Sequence, residues 1–279
     1  MKDIKNKKFP VARRQLNFQA FGVKIGIRAD GTDFLREAVG GLREIFPDGV
    51  EKIKENQVEH FFSVTRKESG AFSLCKDGKE IYSVQSKKYL INYLGWHLRA
   101  TVAEFAAEKI FLHAGVVGWE GKAIVIPGQS FAGKTTLVAE LVRRGAEYYS
   151  DEYAVLDKDG FVHPYAKKLS IRGIIDDFEQ LDFAVEELNG KKGSEPLPIG
   201  MVLIAEYEKG RTGTRIKTQS VGQGTIELLK HSFSLKHNPG TVLAVLSKAI
   251  GRGIILKSKR GEAKEFVDAL LKRLINKKS

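Results

Sequence analysis

Hydrophobic and polar positions form two kinds of pattern in the first hundred residues. Alternation of apolar and polar residues predicts β-strands, whereas apolar residues three or four positions apart predict amphipathic helices. The predicted strands cover residues 18–27, 58–64 and 71–84, and the predicted helices cover 33–45 and 88–110. This mixture predicts a small α+β domain over residues 1–108.

The pattern changes after residue 108, where short and strongly apolar runs predominate. Runs at 111–117 and 123–126 flank a polar turn and predict two antiparallel strands. A helix is predicted at 134–144, and further strands at 148–156, 161–171 and 201–207. The clearest helix has one continuous apolar stripe, made of Ala263, Phe266, Val267, Leu270, Leu271, Leu274 and Ile275. We therefore expect an α/β domain over residues 109–279.

The composition is that of an ordinary water-soluble protein. A hydrophobic share of 42% and a charged share of 29% are typical of globular chains. No apolar run approaches the roughly 18–20 residues that cross a bilayer, and the basic segment 1–14 lacks the apolar core of a secretory signal. Cys75 is the only cysteine, which excludes an internal disulfide and a cysteine-based metal site. A cytoplasmic location is expected.

The chain is basic, with a net charge of +12 from 46 basic and 34 acidic residues. Such an excess is found in proteins that bind nucleic acid, membranes or acidic proteins, but also on solvated surfaces. Much of it lies at the two termini, without the interleaved aromatic residues of a base-stacking surface. The solvated surface is the favoured interpretation, so we expect no membrane partner and disfavour nucleic acid.

A phosphate-binding motif is the most specific feature of the sequence. Residues 128–135 fit the pattern G-x-x-x-x-G-K-[ST], follow a predicted strand and open a predicted helix. Glycines let successive backbone N–H groups face phosphate oxygens, and the helix adds the positive end of its dipole. Lys134 is expected to reach the β- and γ-phosphates and Thr135 to bind Mg²⁺. The predicted nucleotide-binding residues of this phosphate loop are Gly128, Gln129, Ser130, Phe131, Ala132, Gly133, Lys134, Thr135 and Thr136.

Two adjacent carboxylates, Asp151 and Glu152, follow the next predicted strand. If the strands on either side of the loop helix run parallel, these carboxylates lie at the carboxyl end of their strand, beside the γ-phosphate. A carboxylate there can hold Mg²⁺ or accept the proton of an attacking hydroxyl. The usual alternative, a buried strand ending in Asp, is poorly represented, because the apolar run 202–205 leads into Glu206.

Four elements in this order resemble the HPr kinase/phosphorylase superfamily, which shares its core with phosphoenolpyruvate carboxykinase. They are Leu112-His113-Ala114-Gly115, the phosphate loop, Asp151-Glu152 and Leu169-Ser170-Ile171-Arg172-Gly173, and together they span roughly residues 111–177. The resemblance implies a P-loop kinase core in which Asp151 acts as base toward a serine-like hydroxyl. It further implies that Glu152, with Thr135, binds Mg²⁺, that His113 assists metal and phosphate, and that Arg172 steadies phosphate or product.

Some residues depart from the family pattern. Glu152 stands where the family has Asp, Pro127 precedes the loop, and Thr136 replaces the usual residue. The first hundred residues do not match the sensory domain of the regulatory enzyme. The chain is therefore closer to the divergent kinase-like branch, which includes enzymes that phosphorylate precursor peptides of lasso-peptide pathways.

On these grounds the sequence predicts an ATP- and Mg²⁺-dependent kinase acting on a hydroxyl. The acceptor, a serine of a protein or peptide or a small alcohol, stays open, and a homo-oligomer is compatible with the sequence. One alternative is a nucleotide-binding switch with slow hydrolysis, associated with nucleic acid.

Carboxykinase-like chemistry is disfavoured, because the length leaves no room for a large second substrate domain. For two residues the alternative is a purely structural role. His113 lies within an apolar strand and could be a core histidine, and Arg172 could pair with Asp176 or Asp177.

Overall fold

The chain divides into two compact units, Met1–Val102 and Ala103–Ser279. In the computed structural model the described residues are 14–47, 49–54, 57–129, 132–172, 180–251 and 253–276. None of the helices within those ranges is both long and apolar enough to cross a membrane. Both units combine strands and helices, so the chain belongs to the mixed α/β class, as the sequence pattern predicted.

The first unit contains a six-stranded sheet in the order β3-β1-β2-β4-β5-β6. Its strands are β1 (Arg14–Ala20), β2 (Val23–Ala29), β3 (Val50–Lys52), β4 (His60–Arg66), β5 (Phe72–Lys76) and β6 (Lys79–Val84). Its helices are α1 (Thr32–Gly40), α2 (Leu42–Ile45) and α3 (Lys87–Phe105), the last of which contains the boundary between the units. All neighbouring strands are antiparallel except β2 and β4, which are parallel.

Three sequence predictions in this region are wrong in detail. The stretch 18–27 is not one strand but parts of β1 and β2, joined by a tight turn. Phe21 (φ 48°) and Gly22 (φ 84°) both adopt left-handed backbone conformations, which a two-residue hairpin turn of this type requires. The helix predicted at 33–45 is interrupted at Gly41, and the helix predicted at 88–110 ends at Phe105.

The second unit is organised around an eight-stranded sheet. The strands of this unit are β7 (Ile110–Trp119), β8 (Lys122–Pro127), β9 (Glu147–Ser150), β10 (Tyr153–Leu156), β11 (Phe161–His163), β12 (Leu169–Arg172), β13 (Gln180–Phe183), β14 (Leu197–Tyr207), β15 (Lys217–Gln219) and β16 (Ile254–Arg260). The main order is β11-β10-β7-β8-β14-β16-β15, β9 also pairs with β7, and β12 and β13 form a separate pair. Strands β8, β14 and β16 are parallel, so their carboxyl ends meet at one edge.

Helices cover both faces of this sheet. They are α4 (Lys134–Arg143), α5 (Val221–Lys230), α6 (Pro239–Ile250) and α7 (Ala263–Asn276). Alternate residues of β8 point to opposite faces: Ile124 and Ile126 join the hydrophobic cluster that contains α4 and α7, whereas Ala123 and Val125 join the cluster that contains α5 and α6. A sheet buried on both faces explains why these strands are continuously apolar in the sequence.

The strand predicted at 148–156 is interrupted in the middle. Strands β9 and β10 lie along the same side of β7, and residues 151 and 152 form an irregularity between them. The Ser150 hydroxyl causes the break, because it accepts the backbone N–H groups of Glu152 (3.1 Å) and Tyr153 (3.0 Å). Asp151 and Glu152 therefore directly follow the carboxyl end of β9, as predicted, but the antiparallel ladder with β7 resumes at Tyr153 in the same register.

Gly115 allows α4 to lie close to β7, and this gives a test of the packing. A Cβ atom at Gly115 would lie 2.7 Å from Cγ2 of Val138 on α4. We expect Gly115→Ala to lower the free energy of unfolding by about 1–3 kcal/mol, the usual cost of overpacking. Gly240→Ala is the matched control, because a Cβ there meets no atom within 4 Å. Equal urea midpoints for both variants and the parent protein would contradict this packing.

Candidate functional site

The phosphate loop joins the end of β8 to the start of α4, as the sequence predicted. The Gly128 N–H donates to the His113 carbonyl (3.3 Å), and the Ala132 N–H donates to the Gln129 carbonyl (3.2 Å). Gly133 has a φ of 77°, a left-handed conformation that suits glycine at the entry to the helix. Thr136 is exposed on the first turn of α4, while Ser130 and Phe131 lie outside the described residues.

The Lys134 ammonium points back into the loop. It donates to the carbonyl oxygens of Gly128 (2.8 Å) and Gln129 (2.9 Å) and lies 3.2 Å from Nε2 of His113. The residue is buried, with an exposed fraction of only 7%. An ammonium group has three hydrogens, so a phosphate oxygen could replace one of these acceptors without moving the lysine out of the loop. The residues present therefore fit a bound phosphate chain.

His113 is held as a neutral acceptor for this lysine. Burial, and then the charge of Lys134, lower the pKa of His113 from 6.5 to about 4. A neutral ring that accepts a hydrogen bond at Nε2 carries its proton on Nδ1. The backbone N–H of His113 donates to the His231 carbonyl (2.8 Å), which ties the residue to the end of α5. The structure thus brings His113 and Lys134 together.

Asp151 lies against the first turn of α4. Its carboxylate accepts hydrogen bonds from the hydroxyls of Tyr148 (3.0 Å) and Thr135 (3.4 Å), and the residue is only 6% exposed. Burial, and then the charge of Asp151, raise the pKa of Tyr148 well above 10, so the tyrosine remains a donor. The carboxylate hydrogen-bonded to Thr135 is therefore Asp151, whereas the resemblance implied Glu152 as the partner of Thr135 in binding Mg²⁺.

Glu152 is directed to a basic residue that the sequence did not single out. Its carboxylate forms an ion pair with Lys167 (3.0 Å), and its backbone carbonyl accepts the N–H of Ala114 (3.1 Å). Both members of the pair are largely buried, with side chains 17% and 16% exposed. Glu152 is also close enough to His113 to oppose the lowering of the pKa of that histidine. Lys167 belongs to no motif and lies within the predicted strand 161–171, so the sequence did not indicate its role.

A second basic residue, Arg260 at the end of β16, contacts the loop and was also missed. Its guanidinium donates to the carbonyls of Gly133 (3.0 Å) and Gly261 (2.9 Å) and lies 5.2 Å from the centre of the Tyr207 ring. The sequence around Arg260 contains no motif, and 127 residues separate it from Gly133, so sequence reasoning could not connect the two. Only the parallel pairing of β8, β14 and β16 brings it to the same edge of the sheet.

The remaining predicted residue, Arg172, lies in β12, where its backbone pairs with Gln180. Its side chain falls outside the described part of the structure, as do Gly173, Asp176 and Asp177, so its expected roles remain predictions. No protein-family model matches the chain, and no curated protein matches it.

The neutral state of His113 predicts a dependence of stability on pH. Because its pKa in the folded protein is about 4 and its ordinary value is 6.5, the unfolded chain binds a proton between these values and the folded protein does not. This residue therefore lowers the stability as the pH falls from about 6.5 toward 4. We expect His113→Gln to reduce this loss, as measured by urea denaturation at intervals between pH 4.5 and 8. Parallel stability curves for the two proteins would contradict the assignment.

Proposed function

We propose that the protein is an ATP-dependent kinase that transfers the γ-phosphoryl group to a hydroxyl. The proposal includes the assignment of the second unit to a P-loop core like that of HPr kinase and phosphoenolpyruvate carboxykinase. Its main support is the position of Asp151, a buried carboxylate hydrogen-bonded to Thr135 on the first turn of the phosphate-loop helix. A loop alone would support nucleotide binding, whereas a carboxylate beside it can also activate an acceptor.

The donor set of the site suits a magnesium nucleotide. The loop N–H groups and Lys134 would hold the phosphates, and Thr135 with Asp151 or Glu152 would hold Mg²⁺, which prefers oxygen ligands. Bound Mg²⁺ would supply partial neutralisation of the phosphate charge. Hydroxyl and carboxylate oxygens already lie together at Thr135 and Asp151. Glu152 would reach the metal only by exchanging its ion pair with Lys167.

In the proposed reaction, the acceptor hydroxyl loses its proton to the Asp151 carboxylate as its oxygen forms a bond to the γ-phosphorus. The bond between that phosphorus and the bridging oxygen of ADP breaks in the same displacement. Lys134 remains on the phosphates throughout, because its ammonium is confined within the loop. The Tyr148 hydroxyl keeps Asp151 oriented and, because its pKa is raised, keeps its own proton and remains a hydrogen-bond donor.

One observation keeps a second function open. The contact between Asp151 and Thr135 is also the arrangement expected if Asp151 only helps to hold a metal ion. In that case the protein would be a nucleotide-binding switch with slow hydrolysis. The two functions differ in what Asp151 does, since a base acts on the acceptor in the transition state and a metal ligand also acts on the bound nucleotide.

The first experiment tests nucleotide binding. We expect calorimetry to show binding of Mg-ATP, and Lys134→Ala to weaken it by about ten- to a hundred-fold, because a charge-assisted hydrogen bond contributes about 1.5–3 kcal/mol. Lys248→Ala is the matched control, because Lys248 is an exposed lysine paired with Asp159. Absence of ATP and GTP binding by the folded parent protein would refute the proposal.

The second experiment separates the kinase from the switch. Asp151→Asn keeps the shape of the side chain but removes the proton acceptor. If Asp151 is the base, we expect Mg-ATP affinity to stay near that of the parent and the transfer rate to fall by about 10²–10⁴, the usual contribution of a positioned base. Transfer would be measured with labelled ATP against serine peptides and small alcohols. Asp159→Asn, an exposed residue in the turn between β10 and β11, is the control.

Two other results would change the assignment. An unchanged transfer rate in Asp151→Asn would show that this carboxylate is not the base. A raised Mg²⁺ requirement together with weaker ATP binding would make Asp151 a metal ligand and favour the switch. We expect Glu152→Gln, by contrast, to raise the Mg²⁺ requirement if Glu152 leaves Lys167 to join the metal.

A further inference from the structure

Arg260 is an unusually buried cation. The residue is 2% exposed, and within the described ranges it forms no ion pair and its Nε has no hydrogen-bond partner. Its described hydrogen bonds go to two backbone carbonyls, those of Gly133 and Gly261. Burial lowers the pKa of the guanidinium, and the nearby Glu262 carboxylate opposes that shift. Burying a charge without a contacting counter-ion lowers the stability of the folded protein. The burial of Arg260 therefore suggests a role other than packing.

The contact with Gly133 fixes the orientation of one peptide group. The Gly133 carbonyl accepts from Arg260 (3.0 Å) and from the Leu137 N–H (3.2 Å). Because a trans peptide is planar, its N–H points away from its carbonyl. Holding the Gly133 carbonyl toward Arg260 and α4 therefore directs the Lys134 N–H the other way, toward the open end of the helix where anions bind.

The surroundings of Arg260 fit this role. Gly133 is left-handed, and a Cβ atom there would collide with the guanidinium, so glycine and arginine fit together at this contact. The Tyr207 ring lies over the guanidinium, and the Tyr207 hydroxyl donates to Glu262 (3.2 Å). The guanidinium is thereby confined behind the loop, where its charge acts on anions bound at the front.

We infer that Arg260 is a positioning residue for the phosphate loop, which holds the peptide between Gly133 and Lys134 in its anion-binding orientation and adds a fixed positive charge behind it. This inference rests on the nucleotide binding in the proposed function, but not on phosphoryl transfer. The ligand class it serves is the phosphate chain shared by nucleoside di- and triphosphates. Since both ligands contain that chain, loss of Arg260 affects their binding alike.

The test compares two substitutions. Arg260→Gln keeps a hydrogen-bond donor but removes the charge, whereas Arg260→Lys keeps the charge but loses the fork that reaches two carbonyls. Arg273→Met is the control, because Arg273 also donates to a backbone carbonyl, that of Ile216 (2.6 Å), and its loss changes the net charge equally. Calorimetry with Mg-ATP and Mg-ADP gives affinity and stoichiometry separately.

We expect Arg260→Gln to bind both nucleotides about ten- to a hundred-fold more weakly with full stoichiometry, and Arg260→Lys to recover part of the loss. The turnover number at saturating ATP should change only a few-fold, and Arg273→Met should bind as the parent does. Unchanged affinity in both Arg260 variants would overturn the inference, as would a lowered stoichiometry at unchanged affinity, which indicates only misfolding. If Arg260→Gln does not fold, unchanged affinity in Arg260→Lys alone overturns it.

These measurements also separate the inference from the proposed function. If the parent binds no nucleotide, both fail. If it binds nucleotide but transfers no phosphoryl group to any acceptor, the kinase proposal fails while the affinities of the Arg260 variants still decide the role of Arg260.

Discussion

The close approach of α4 to β7 is the constraint on which the site depends. Gly115 has no side chain to separate the two elements, and Val138 occupies the space that a Cβ would need. This packing sets where the first turn of α4 begins, and therefore where Lys134 and Thr135 lie relative to His113 and Asp151. The contact between Lys134 on α4 and His113 on β7 crosses the interface that this glycine makes possible.

Charge around the loop is arranged in two groups. On one side, Lys134 and Arg260 are bound mainly by carbonyl oxygens, which solvate a cation without neutralising it. On the other side, Asp151 is bound by hydroxyls and Glu152 by Lys167. An anion at the loop would therefore lie close to two positive charges. Asp151 accepts hydrogen bonds from two neutral donors, the hydroxyls of Tyr148 and Thr135.

Periodicity and motif together predicted the parts of the second unit that are local in sequence. The hairpin of β7 and β8, the helix at α4 and the apolar stripe of α7 all follow from the spacing of hydrophobic residues. The break at Ser150 could not be predicted in this way, because a hydroxyl that captures two N–H groups leaves the alternation intact. The turn at Phe21 was missed because phenylalanine is not a usual residue for a left-handed conformation.

Sequence reasoning identified Lys134, Thr135, His113 and Asp151, and these residues lie together in the structure. It missed Lys167, which belongs to no motif, and Arg260, whose contact with the loop depends on the pairing of distant strands. A sequence motif identifies residues that lie within one short stretch of backbone. A charged residue that contacts the motif can instead come from any other part of the fold. Contacts of this second kind become visible only once the strand order is known.

His113 belongs to two networks at once. Its ring faces the Lys134 ammonium, and its backbone N–H is bonded to the carbonyl of His231, where α5 ends. The connection between α5 and α6 also places Phe233 beside the same ring, with centroids 6.3 Å apart. A small displacement of that connection would move the imidazole directly. Helices α5 and α6, which pack on the face of the sheet opposite α4, are thus coupled to Lys134 through a single residue, His113.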